Sequence, residues 1–220
     1  MTKDFRKYYF ERGLPHFHPE NAVFFVTFRL LGSLPHEMIR RLQQERESRM
    51  AQMPNAPHEA AERLYNEQKR YFAKFDCELD NASCGKLHLK QPEIARRVAA
   101  KMHEYDSHLY NLIAYCIMPN HVHLVVDMTR KMEDGIGFPD GNPVSLSLVM
   151  RLIKGGSAYE INKYLNVSGA FWQQESYDHV VRNWKELRNI ISYTLQNPVK
   201  AGLVDDWQHW DFSYVHENFA

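Results

Sequence analysis

Two short spacings bring together side chains able to do phosphate chemistry. The first lies in Tyr115-Cys116-Ile117-Met118-Pro119-Asn120-His121-Val122-His123-Leu124-Val125-Val126, where an apolar run turns a Pro-Asn corner and resumes with two histidines flanking one valine. Side chains of an extended chain alternate faces. His121 and His123 therefore leave the same face, and two such imidazoles make a natural pair of divalent-metal ligands. The plainer meaning is two strand histidines satisfied by their neighbours. The second spacing is Tyr193-Thr194-Leu195-Gln196-Asn197-Pro198. In a helix Tyr193 and Asn197, four apart, share one face, and Pro198 with Gly202 is expected to end that helix.

A tyrosine hydroxyl, with an ordinary pKa of about 10, becomes a nucleophile when a cation lies near and its target is electrophilic. A divalent metal on His121 and His123 would polarise a non-bridging oxygen of a phosphate. Asn197 could add a third, neutral oxygen ligand. Mg²⁺ and Mn²⁺ both favour oxygen, and imidazole moves the preference toward Mn²⁺. The competing meanings are a core tyrosine and a carboxamide at a helix end.

Taken together, the two spacings resemble the HUH single-tyrosine transposases, and among them the REP-associated tyrosine transposases. Met118-Pro119-Asn120-His121-Val122-His123 and Tyr193-x-x-x-Asn197-Pro198-Val199-Lys200-Ala201-Gly202-Leu203-Val204 carry the resemblance. Arg12-Gly13-Leu14-Pro15-His16, Phe171-Trp172-Gln173 and Asp178-His179-Val180-Val181-Arg182-Asn183 extend it from about Arg12 to Trp210. It implies cleavage and rejoining of single-stranded DNA at palindromic, REP-like hairpins, with a 5′-phosphotyrosine on Tyr193 and a free 3′-hydroxyl. It implies His121, His123 and Asn197 as ligands of Mg²⁺ or Mn²⁺. Many single-tyrosine transposases place a glutamine where this chain has Asn197, and the shorter arm would hold a metal more weakly. Arg12, His16, Arg151, Lys154, Arg182 and Lys200 are candidate DNA contacts, although an arm packed on the core explains the first two, and a generic basic surface the last four, equally well. Two other classes stay open: a DNA-hairpin binding protein without cleavage, and a metal-dependent nuclease with no covalent step. Intact His121, His123, Tyr193 and Asn197 speak against the first.

The elements that must position these groups can be read in order. Residues 5–20 form an aromatic and basic arm suited to stacking on bases or to packing on the core. Ala22 to Leu31, rich in aromatic and β-branched residues, reads as a buried first strand. From Pro35 to about Phe75 helix formers dominate, and Pro54 with Pro57 splits them into a helical hairpin. Its arginines alternate with glutamates, as on a salt-bridged face. Asp76 to Lys90 reads as a loop, and Gln91-Pro92 opens a helix whose stripe is Ile94, Val98, Met102 and Tyr105. Tyr110–Met118 and His121–Met128 read as paired strands, and Arg130 to Pro143 as a loop. Ser145 to Leu165 reads as a helix broken near Gly155-Gly156, and Tyr177 to Val181 as a brief strand. Trp184 to Gln196 is the tyrosine helix. This order suggests an α+β sandwich with an antiparallel sheet. The resemblance implies its ferredoxin-like form, one domain over 1–220, with a helical insertion at about 35–75 after the first strand and a tail at about 205–220.

Composition narrows the partners. The chain has 220 residues, 44% hydrophobic and 25% charged, as in ordinary globular proteins. Its 27 basic and 27 acidic residues cancel, which argues against non-specific coating of DNA. A local basic patch and a site-specific role in single-stranded or hairpin DNA remain compatible. No run approaches a membrane span, and no signal peptide is evident. Cys77, Cys84 and Cys116 fit a reduced, cytoplasmic chain. Monomer and homodimer are both left open.

Overall fold

The computed structural model describes residues 9–11, 15–52, 60–81, 85–129 and 144–219. Strands β1 (Tyr9–Glu11) and β2 (Pro15–Phe17) pair with each other. Strand β3 (Val23–Arg29) follows, then helices α1 (His36–Ala51) and α2 (Ala60–Asp80). Helix α3 (Pro92–Glu104), the pair β4 (Asn111–Ile117) and β5 (His121–Asp127), helix α4 (Leu146–Leu165) and strand β6 (Tyr177–Val180) come next. Helix α5 (Trp184–Lys200) and strand β7 (Ser213–Val215) complete the order. The chain divides into two compact units, one of residues 1–31 and 88–220, the other of residues 32–87.

The first unit is built on a five-stranded antiparallel sheet in the order β6-β3-β5-β4-β7. Its run β3-α3-β4-β5-α4-β6, with sheet order 6-3-5-4, is the split βαβ arrangement of ferredoxin-like folds. One face carries Phe24, Val26, Phe28, Val122, Leu124 and Val126, buried in a single core with Ile94, Val98 and Met102 of α3 and Val149, Ile153 and Ile161 of α4. Because strand side chains alternate, Phe25, Thr27, His121 and His123 take the opposite face, where α5 packs. A register shift between Leu112 and Ala114 adjusts β4 against β5. Among the described residues, no helix is long and apolar enough to cross a membrane.

In the second unit α1 and α2 are tied by ion pairs. Arg41 Nη2 meets Glu78 Oε1 at 2.8 Å, and Arg49 contacts both Glu45 and Glu67. The arginine-glutamate alternation is therefore a paired face.

Three boundaries differ from the sequence reading. Helix α2 runs on to Asp80, so the loop expected from Asp76 starts later; the stretch Lys74-Phe-Asp-Cys-Glu-Leu79 has no breaker, and Leu79 is buried. Helix α4 passes unbroken through Gly155 and Gly156. A Cβ on Gly156 would stand 2.8 Å from Lys101 Cδ of α3, so this glycine serves a close helix crossing instead of a break. Helix α5 continues past Pro198 to Lys200. The proline removes only the N–H that would reach the Thr194 carbonyl. The true stop is Gly202 at φ +66°. Leu203 N–H donates to the Pro198 carbonyl at 2.9 Å and Gly202 N–H to the Val199 carbonyl at 3.0 Å, which is a Schellman closure. The expected loop at 130–143 lies outside the described residues.

Candidate active site

The Pro119-Asn120 corner is a tight one: Met118 N–H donates to the His121 carbonyl at 2.9 Å. It starts β5 at His121, and the strand's alternation then aims His121 and His123 to the same side. Their Nε2 atoms are 3.0 Å apart, and both residues are wholly buried. Burial, which disfavours the charged form, holds His121 down to about 3. It holds His123 well below its ordinary value too, with help from His121 and from the Lys200 ammonium. Both rings are therefore neutral at physiological pH, the state a metal ligand needs.

Helix α5 is placed over this pair by its ends. Asn183 caps it, its Oδ1 accepting from Glu186 N–H at 2.9 Å. The Glu186 carboxylate also accepts from Arg182 N–H at 2.9 Å and lies 3.1 Å from His179 Nε2 on β6. Two turns further on, Tyr193 is half-buried and sits edge-on to His123, ring centroids 5.6 Å apart. Phe25, stacked on His123 at 5.6 Å, meets Tyr193 edge-on at 6.0 Å. Lys200 Nζ lies 4.3 Å from the centre of the Tyr193 ring, a cation–π contact that also sets positive charge beside the phenol. One turn after Tyr193, the Asn197 Nδ2 lies 3.0 Å from His123 Nε2. Asn197 is buried, and its Oδ1 has no hydrogen-bond partner among the described residues.

These residues suit a divalent cation. Two neutral imidazole nitrogens and a carboxamide converge on one small volume, and a half-turn of the Asn197 amide exchanges its nitrogen for the unpartnered oxygen. Orphaned buried acceptors are rare in folded proteins.

The structure thus brings His121, His123, Tyr193, Asn197 and Lys200 together. It does not bring Arg151 and Lys154 there, because α4 covers the sheet's other face. Arg151 is exposed beside a cavity of about 810 Å³ that Lys154 also lines. The Lys154 ammonium donates to the Gln174 carbonyl at 2.8 Å and to Ser176 Oγ at 3.1 Å, and burial lowers its pKa to about 8. Arg182 is exposed just before α5. His16 lies in β2, and Arg12 lies outside the described residues. Trp172 is a packing residue: its Nε1 donates to Ser157 Oγ at 2.9 Å, and its ring meets Phe28 edge-on at 4.8 Å. Sequence reasoning missed Thr27 and Asn120, which touch the outer nitrogens of the histidine pair. Asn120 was legible as the neighbour of His121 in the turn; Thr27 needed the strand register, which pairs it with His123.

No family model matches the chain. A putative REP-associated tyrosine transposase of Haemophilus influenzae is 26% identical over 109 residues, which is 50% of this chain and 61% of that protein. The REP-associated tyrosine transposase of Escherichia coli is 26% identical over 113 residues, 50% of this chain and 58% of that protein. The chain thus spans about three fifths of the length of these curated relatives. The solved structure of a REP-associated tyrosine transposase bound to a REP hairpin matches 92% of this chain and 82% of that one, with a TM-score of 0.51 and 17% identity. Over half its length in sequence, and over nearly all of it in fold, the chain is similar to the REP-associated tyrosine transposases.

Proposed function

We propose that the protein is a single-strand DNA endonuclease and strand transferase that cleaves and rejoins DNA at palindromic, REP-like hairpins through Tyr193. The observation that carries this reading is the seating of the tyrosine helix over the histidine pair, with Asn197 3.0 Å from His123. The names of the relatives support a DNA hairpin as the substrate class.

His121, His123 and Asn197 would hold Mg²⁺ or Mn²⁺. When bound, the cation supplies Lewis acidity to a non-bridging phosphate oxygen. The Tyr193 hydroxyl attacks the phosphorus and gives up its proton to solvent. A Tyr193 Oη–P bond forms, the P–O3′ bond breaks, and the 3′-oxygen takes up a proton as a free hydroxyl. Attack of a 3′-hydroxyl on the phosphotyrosine reverses these steps and rejoins a strand. Lys200, lying over the phenol ring, favours the negative charge that builds on Oη. Packing by Phe25 and His123 restricts the ring, so the nucleophile is held in place before DNA arrives.

Trapping decides between the classes. Incubated with a labelled hairpin bearing a single-stranded flank and Mn²⁺, the protein should give a denaturant-stable adduct joined through a 5′ phosphate. Cleavage without adduct would make it a non-covalent nuclease, and binding without cleavage a hairpin-binding protein.

A further inference from the structure

The two histidines are held from behind by side chains of different chemistry. Asn120, 2% exposed, places its Oδ1 2.7 Å from His121 Nδ1. Thr27, 5% exposed, places its Oγ1 2.8 Å from His123 Nδ1. Both contacts lie on the ring nitrogens that face away from the shared Nε2 side.

A neutral imidazole carries its proton on one nitrogen and a lone pair on the other. A carboxamide oxygen only accepts, so His121 Nδ1 must donate to Asn120, and the lone pair of His121 must lie on Nε2. A hydroxyl both donates and accepts, so Thr27 tolerates either tautomer of His123. The 3.0 Å between the two Nε2 atoms is a hydrogen bond only if one of them carries a proton. With His121 fixed, that proton belongs to His123; the Asn197 amide, 3.0 Å from the same Nε2, then turns its Oδ1 rather than its Nδ2 toward it, and Thr27 donates to His123 Nδ1. A cation shared by both Nε2 atoms needs a lone pair on each. His123 must then carry its proton on Nδ1, with Thr27 as acceptor. One proton moves from Nε2 to Nδ1 through exchange with solvent, and none is released.

We propose that Asn120 and Thr27 are positioning residues that make the two ligands unequal: Asn120 fixes His121 as a ready lone-pair donor, and Thr27 lets His123 change tautomer as the cation enters. The switch rests on the metal reading above; the fixing of His121 does not. Side chains that hydrogen-bond the free ring nitrogen of a metal-bound histidine set its tautomer and ring orientation, and losing one costs roughly 10- to 100-fold in metal affinity.

The test uses the full chain with ¹⁵N-labelled histidine. Two-bond ¹H–¹⁵N correlation spectra of the cation-free protein should show His121 protonated at Nδ1 and His123 at Nε2. Addition of Mg²⁺ should move the His123 proton to Nδ1 and leave His121 unchanged. Mn²⁺ titration followed by electron paramagnetic resonance should show Thr27→Val binding about 10- to 100-fold more weakly than wild type, with Thr27→Ser restoring affinity. Asn120→Ala should release His121 into a mixture of tautomers; if that variant does not fold, the Thr27 pair still decides the switch. A cation-free spectrum with His121 protonated at Nε2 overturns the part assigned to Asn120. Thr27→Val binding Mn²⁺ within twofold of wild type overturns the part assigned to Thr27. A wild-type chain that takes up neither ion refutes the metal reading and the switch with it, while the cation-free spectrum still decides Asn120.

Discussion

Asn197 Nδ2 and His123 Nε2 lie 3.0 Å apart although 74 residues separate them. The contact joins the end of the tyrosine helix to the middle strand of the sheet, so it reports whether the helix is seated. Asn197→Ala should lower Mn²⁺-dependent cleavage by about 10- to 100-fold, the usual cost of losing one metal-orienting group. Asn197→Gln, with one more methylene in a buried site, should restore part of it. Single-turnover rates on a labelled hairpin check both, and equal rates for wild type and Asn197→Ala would remove Asn197 from the site.

His121→Ala and His123→Ala should each abolish metal-dependent cleavage. Metal stabilisation of transition-state charge is worth several kcal/mol, so losses beyond about a hundredfold are expected. Chelation of wild type with excess EDTA should match them. Circular dichroism of the variants separates lost chemistry from lost fold.

Tyr193→Phe removes one hydroxyl and should lose the covalent adduct while hairpin affinity stays within about twofold. Phe variants of Tyr177 and Tyr159 should still form it. Peptide mapping of the wild-type adduct should place the phosphodiester on Tyr193; any other tyrosine would refute the assignment.

A chain of zero net charge has little general attraction for duplex DNA. Binding should be tighter to an imperfect palindromic hairpin with a short single-stranded flank than to the same sequence as duplex, through shape and unpaired bases. Titration at about 150 mM salt checks this, and equal affinities would reject it.

Lys154 supplies a pH dependence. Its pKa is lowered from 10.5 to about 8, first by burial and then by Arg29, with Glu175 opposing. Between about pH 8 and 10.5 the unfolded chain keeps a proton that the folded chain has released, so stability rises with pH across that window. Below it both states hold the proton and the whole penalty remains. Lys154→Met should erase the rise. The difference in urea-unfolding free energy, wild type minus variant, should grow by up to about 3 kcal/mol from pH 8 to 10.5; a flat difference would refute it.

Much of this site was legible because it rests on local periodicity. The spacing His121-Val122-His123 fixes a shared face once the segment is a strand, and Tyr193 with Asn197 shares a face once the segment is a helix. The ferredoxin-like sheet order was legible through the resemblance, since strand order is a long-range property. The seating of α5 on the histidine face, the pairing of Thr27 with His123 and the Lys200 contact with Tyr193 were not legible, because each joins distant segments. Pro198 misled for the opposite reason. A proline removes one N–H, and a helix already in its last turn loses little by it, so Gly202 was the stronger punctuation. Gly155-Gly156 misled likewise, since packing against Lys101 outweighs the weak helix propensity of glycine.

Helix α5 covers a sheet face whose strands β3, β4 and β5 precede it in the chain, and synthesis follows the same order. His123 leaves the ribosome 74 residues before Asn197, which at about 5–20 residues per second is a delay of roughly 4 to 15 s. Throughout that interval Phe25, Cys116 and His123 have no α5 to bury them. The nascent protein therefore presents an apolar floor late into its own translation, and a chaperone has its best opportunity there. A chain stalled before Tyr193 carries the two histidines without the tyrosine, and under the proposed function it would have no nucleophile for DNA.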